Sequence, residues 1–194
     1  MPSSNLFPKK SDGTFYKIRE QCTLIFVPKG FENEAEFEEV VKSYGEKLYP
    51  KDQNPFRYRH GFSEARQQYG EAPFKPNHWI LITDVLEGSR NKSWQQQAAL
   101  VDGLAKETLG NWQVPEDYHE LFVAIVLTEI GTGKRLCQVG DEQNGCLPSY
   151  VRIKQMTQGL RVIVGGSPPI GVLVSSHYDA DKHEGIGVMA RWKF

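Results

Sequence analysis

Cysteine is scarce in this chain, charge of either sign is barely in excess, and no apolar run is long. Each of these removes a class of protein. The cysteines are Cys22, Cys137 and Cys146, an odd number without C-x-x-C spacing, so neither a disulfide framework nor a zinc knuckle is implied. The 23 basic and 24 acidic residues leave a net charge of −1, with no global attraction for nucleic acid or an anionic membrane surface. The longest apolar runs, Leu121–Leu127 and Leu24–Val27, fall well short of the ~20 residues of a membrane span. The segment Met1–Lys10 holds no apolar stretch of signal-peptide length, so a reducing cytoplasm is the expected location and Asn91-Lys92-Ser93 reads as a chance sequon.

What is present suits a globular fold. In 194 residues, 39% apolar and 11% aromatic side chains are enough for one sizeable core. Residues 1–14, rich in Pro, Ser, Lys and Asp, are expected as a flexible tail, and residues 15–194 as a single α+β domain without internal repeat or linker. Cys22–Val27, ended by Pro28, and His78–Leu86 are the first two strands. Between them Phe37, Val40, Val41, Tyr44 and Leu48 form one helical stripe, opened by Asn33 with Glu36 three residues on. A short helix over Ser63–Tyr69 interrupts the irregular connection of residues 49–76.

Ser93, with Gln96 at the reciprocal position, caps a second long helix that runs to Gly110. Gly103 inside it costs ~1 kcal/mol relative to Ala, which points to close packing by another element. Pro115 is placed to open a third helix that carries the buried run Leu121–Leu127 to Gly131. Gly131-Thr132-Gly133-Lys134-Arg135 lacks the leading glycine and the preceding strand of a phosphate loop, and reads as a helix C-cap followed by basic residues.

From Tyr150 onward the pattern changes to period two. Val151 and Ile153 alternate with Arg152 and Lys154, and Leu160, Val162 and Val164 with Arg161. Ile170–Ser175 follows, and then Ile186, Val188, Ala190 and Trp192 alternate with Gly187, Met189, Arg191 and Lys193. The expectation is a four-strand antiparallel meander with one wet face, in a mostly antiparallel sheet of about six strands packed on two or three helices.

Chemistry concentrates in two segments. His177, Asp179, Asp181 and His183 alternate, so an extended backbone would point all four the same way, and imidazole with carboxylate suits a divalent metal. The same residues are ordinary for a hairpin tip. The segment resembles, over about eight residues, the His-rich motif of metallo-β-lactamases, from which its second and third ligands and their spacing depart. It also resembles the His-Tyr-Asp that follows a strand in zinc aminopeptidases, whose further ligands lie well downstream, whereas ten residues follow Glu184 here. The second segment follows a strand and precedes a helix: Asp84, Ser89, Arg90, Asn91, Lys92 and Ser93 are the candidate anion-binding turn.

A nucleophilic site would have to join Cys137, Cys146 or Ser89 with His78, His119 or His177. Phe56-Arg57-Tyr58-Arg59-His60 interleaves aromatic and basic residues, but in a neutral chain it does not predict nucleic-acid binding. The reading that follows is a non-catalytic binding or interaction domain, with a protein partner or small ligand and no cofactor. Its alternative is a metal-assisted hydrolase using the 177–184 segment.

Overall fold

The computed structural model describes residues 22–29, 33–48, 58–60, 63–75, 77–108, 110–132, 136–137, 149–167 and 171–194. The tail of residues 1–14, Cys146 and Phe56-Arg57 lie outside them. The elements run in the order β1 (Cys22–Val27), α1 (Glu34–Leu48), β2 (Tyr58–His60), α2 (Ser63–Tyr69), β3 (His78–Thr83), α3 (Trp94–Glu107) and β4 (Trp112–Gln113). They continue with α4 (Tyr118–Thr132), β5 (Ser149–Thr157), β6 (Leu160–Ser167), β7 (Gly171–His177), β8 (Ile186–Val188) and β9 (Arg191–Trp192). The result is an α+β fold with two mostly antiparallel sheets, of strand order β1-β3-β9-β4 and β2-β7-β6-β5-β8. No helix among the described residues is long and apolar enough to cross a membrane.

Local chemistry places the helices. Asn33 accepts the Glu36 amide at 3.0 Å and opens α1, whose Phe37 and Val41 are buried. At α3 the Ser93 and Gln96 side chains and backbones satisfy each other in a complete capping box. The chain passes Gly110 beneath the Trp192 ring, and a Cβ there would collide with the indole. Gly103, by contrast, has nothing within 4 Å of its missing Cβ, so the expected close packing is absent.

The third long helix begins later than Pro115 predicts. Asp117 accepts the Glu120 amide at 2.8 Å and the Gln155 side chain accepts the Tyr118 amide at 3.0 Å, so α4 starts at Tyr118. Pro115 stays outside, its carbonyl accepting the Lys154 amide at 2.9 Å. Every residue from Leu121 to Val126 is buried, because α4 packs against β1 of one sheet and β6 of the other. Each such aliphatic or aromatic side chain contributes roughly 1.5–3 kcal/mol of transfer free energy. Phe122 meets Phe37 edge-on at 5.2 Å, tying α4 to α1.

The C-terminal strands depart from a simple meander. β5, β6 and β7 are consecutive antiparallel neighbours, with Gln158 and Gly159 at positive φ in the β5–β6 turn. The fourth segment divides. β8 adds parallel to β5, and after Met189 and Ala190 the chain leaves that sheet to place β9 between β3 and β4 of the other. Residues 178–185 therefore cross the end of the sheet from β7 to β8, past β6 and β5, and do not close a hairpin between neighbours. The wet face fails too: Arg152 is fully buried and Arg161 nearly so.

Candidate functional site

The two segments that the sequence singles out, far apart in the chain, are brought together by Arg152 on β5. Its guanidinium donates to the carbonyl of Lys92 at 2.9 Å and to Oε1 of Gln97 at 3.0 Å. It also donates to the carbonyls of Tyr178 at 3.2 Å and Asp181 at 2.7 Å. Gln97, itself buried, donates to the carbonyls of Ser89 and Ile186, both at 2.9 Å. Burial lowers the pKa of Arg152, and the nearby Asp179 and Asp181 oppose that shift. One buried cation thus holds the 84–93 turn against the 177–184 segment by donating to backbone carbonyls of both.

Several side chains of both segments are engaged within the fold, although Nδ1 of His177 is buried without a hydrogen-bond partner among the described residues and Tyr178 is largely exposed. Arg161 stacks over the Trp94 ring at 4.1 Å and grips Asp179 through two bonds of 3.0 and 2.9 Å. His183 accepts the Gly185 amide on Nδ1 at 2.9 Å, while His177 and Asp181 approach to 3.4 Å. The alternation survives only in part: the two imidazoles lie 5.9 Å apart, but Asp179 turns to Arg161. No group of three or more His, Cys, Asp or Glu side chains among the described residues is arranged to hold a metal ion.

In the other segment Ser89 is buried, its Oγ accepting the Val188 amide at 3.1 Å. Arg90 donates to Ser149 at 2.7 Å, the Asn91 amide to the His183 carbonyl at 3.0 Å, and Ser93 caps α3. Asp84 is half-buried at the end of β3, where its charge adds to burial in pushing the Cys137 thiol up to about 12. That thiol is protonated and inert at neutral pH.

A different place has the form of a binding site. A cavity of about 230 Å³ opens where β3 and β9 meet the first turn of α4 and the connection that follows α2. Val27, Phe74, Ile80 and Val123 give it an apolar floor. Its polar lining comes from four separate elements and the connection before β3: Lys75 and His78 before and on β3, His119 and Glu120 on α4, Gln155 on β5, and Arg191 on β9. Such a mixture of apolar wall and convergent polar groups is the usual form of a small-molecule site.

Its electrostatics are unusual. Glu120 lies under Arg191, Oε1 to guanidinium 2.7 Å, with its side chain only 9% exposed. Burial raises its carboxyl pKa to about 7, Arg191 pulls the other way, and Asp117 adds to the rise. His78 is driven down by burial, with the charges of Arg191 and Lys75 adding to that effect and the Lys75 backbone opposing it. His119 is fixed by a buried carboxylate. Its Nε2 lies 3.1 Å from Glu34, which also accepts the Tyr118 hydroxyl at 2.6 Å, and its ring makes tilted contacts with those of Tyr118 and Phe74. Nδ1 of His78 and Nε of Arg191 are buried without a hydrogen-bond partner among the described residues, the unmet polar capacity of this wall.

Sequence reasoning reaches His78 and His119 only as partners for a nucleophile. They do share this cavity, but neither Ser89 nor Cys137 lines it. Glu120 and Arg191 are not among the residues it singles out. The available signal for Glu120 is a carboxylate next to a wholly apolar helical run, where solvent would have to be excluded. Comparison of the chain with protein-family models, with curated proteins and with solved structures gives no match.

Proposed function

We propose that this protein is a binding domain for a small organic molecule, received in the cavity between β3, β9 and the start of α4. The observation that carries the reading is the cavity itself, an apolar floor beneath a polar lining in which His78 and Arg191 each keep an unmet buried nitrogen. An unsatisfied buried donor costs about 1–3 kcal/mol, which a ligand with acceptor atoms can recover. At about 230 Å³ the cavity is smaller than the ~300–1,000 Å³ of most drug-sized sites. The ligand is accordingly small.

A metal-assisted hydrolase at residues 177–184 is the weaker reading, because Asp179 is held by Arg161 and the segment's carbonyls by Arg152. A cytoplasmic setting fits the free thiol of Cys137. The test is a nuclear magnetic resonance titration of the whole chain with small charged and neutral organic probes. Shifts confined to the amides around His78, Glu120 and Arg191 are the expected result. Shifts confined to residues 177–184, or none at all with any probe, would remove the proposal.

A further inference from the structure

Arg191 is underused where it stands. A guanidinium carries five N–H donors in a planar fork. Here one hydrogen bond runs to Glu120 at 2.7 Å, Glu116 is 3.6 Å away, and Nε has no partner among the described residues. A carboxylate can take two parallel donors from such a fork, a stronger and more directional pairing than a single contact. Glu120 does not fill that role. Its backbone is fixed in the first turn of α4 by Asp117, and only Oε1 is bonded to Arg191.

Resting on the small-molecule reading above, we propose that the ligand is a small organic acid whose carboxylate takes the place of Glu120 on Arg191, so that binding takes up a proton at Glu120. The chemistry of the surroundings selects this class. Phe74, Ile80 and Val123 accept the apolar body. Asp117, Glu116 and Glu120 gather around Arg191, three carboxyl groups against the two cations Arg191 and Lys75, so a doubly charged ligand such as a phosphate monoester would meet more repulsion than a single carboxylate does.

The groups facing Glu120 are Arg191 from β9, His78 from β3, Lys75 from the preceding connection, and Asp117, Glu116 and His119 from around the start of α4. Lys154 on β5 approaches Glu116 at 3.9 Å from the outside. Losing Arg191 to a ligand removes the neighbouring charge that most favours the ionised form of Glu120. Burial and Asp117 then favour the protonated form, whose pKa already stands near 7 in the free protein.

The experiment titrates the intact chain with acetate, butyrate and benzoate, and with acetamide, butyramide and benzamide, from pH 6 to pH 9, following backbone amides. The acids are expected to shift the amides around Glu120 and Arg191. Their Kd should be level below pH 7 and weaken about tenfold per pH unit above it, the slope for uptake of a single proton. Calorimetry in two buffers of different ionisation enthalpy should give uptake of about one proton at pH 8. Glu120→Gln should bind benzoate at pH 8 as tightly as the unaltered protein does at pH 6, with a flat profile.

Amides that bind at the cavity as well as their acids, without pH dependence, would overturn the proton-coupled acid site and leave the small-molecule site standing. A pH slope that persists in Glu120→Gln would overturn it equally, since the proton would then be taken up elsewhere. If none of the six probes moves the cavity amides, both proposals fall together.

Discussion

Two regions of this molecule hold arginines among acids and imidazoles, and they differ in how many hydrogen bonds the arginine makes and in whether a cavity adjoins it. At the junction of the 84–93 turn with residues 177–184, Arg152 has four hydrogen bonds, Asp179 two, and Gln97 binds two carbonyls. Around the cavity Arg191 makes one and a carboxyl is pushed to about 7, while each region keeps two buried nitrogens without partners among the described residues, Nε of Arg152 and Nδ1 of His177 in the first and Nδ1 of His78 and Nε of Arg191 in the second. A densely bonded network rigidifies a fold, while unmet polar atoms that border a cavity are open to a ligand. Richness in His and Asp is therefore a poor guide to function until one asks which of those groups are already engaged.

The largest effect expected from breaking the contrast is at Arg152. Arg152→Met fills similar volume but leaves the carbonyls of Lys92, Tyr178 and Asp181 without their donor. It should cost about 3–5 kcal/mol in urea unfolding, with faster hydrogen exchange at Asn91 and Trp94. A loss below about 1 kcal/mol would mean that the junction is not held this way.

The next concerns Glu120. Its pKa is raised on folding, so its contribution to stability is complete below about pH 4.5 and is lost as pH rises through 7. The loss amounts to about 3 kcal/mol across that window. Denaturant melts of the protein and of Glu120→Gln at pH 4 and pH 8 isolate this contribution, since the variant should lack that fall. Parallel pH profiles for the two proteins would show Glu120 to be ordinary.

A smaller effect is expected at Asp179. Its pair with Arg161 is bidentate yet about a quarter exposed, so Asp179→Asn should cost on the order of 1 kcal/mol, with the stacking of Arg161 on Trp94 retained in the fluorescence of the protein. The smallest belongs to the residues that first suggest a metal site. His177→Ala combined with Asp181→Ala should change stability by no more than about 0.5 kcal/mol and leave the metal content of the purified protein unchanged, as measured by elemental analysis. A stoichiometric metal lost in the double variant would restore the hydrolase reading.

Much of the fold is legible in the sequence because it is decided locally. The Asn33 and Ser93 caps, the stripe of Phe37 and Val41 and the short helix over Ser63–Tyr69 follow from residues a few positions apart. Strands β1 and β3, though not the β2 that lies between them, follow from compact apolar runs. The start of α4 lies three residues beyond Pro115, because the decisive cap comes partly from Gln155, 37 positions away from Tyr118. The candidate site is hardly legible at all. Its lining comes from β1, the connection before β3, β3, α4, β5 and β9, and no window of the sequence contains more than a fraction of it.

The sequence by itself determined the class of the fold and the positions of most of its elements, since helix caps, apolar periodicity and turn residues act over one or two turns of chain. Only the tertiary structure decided what its charged residues do. Arg152, Arg161 and Arg191 all alternate with apolar neighbours as surface residues would, yet one pins two loops, one stacks on Trp94 while gripping Asp179, and one lines a cavity. The reason is that burial and hydrogen-bond partners are properties of which strands meet, and the division of the last segment between two sheets is settled by pairing with β5, 36 residues back, and with β3, more than a hundred residues back.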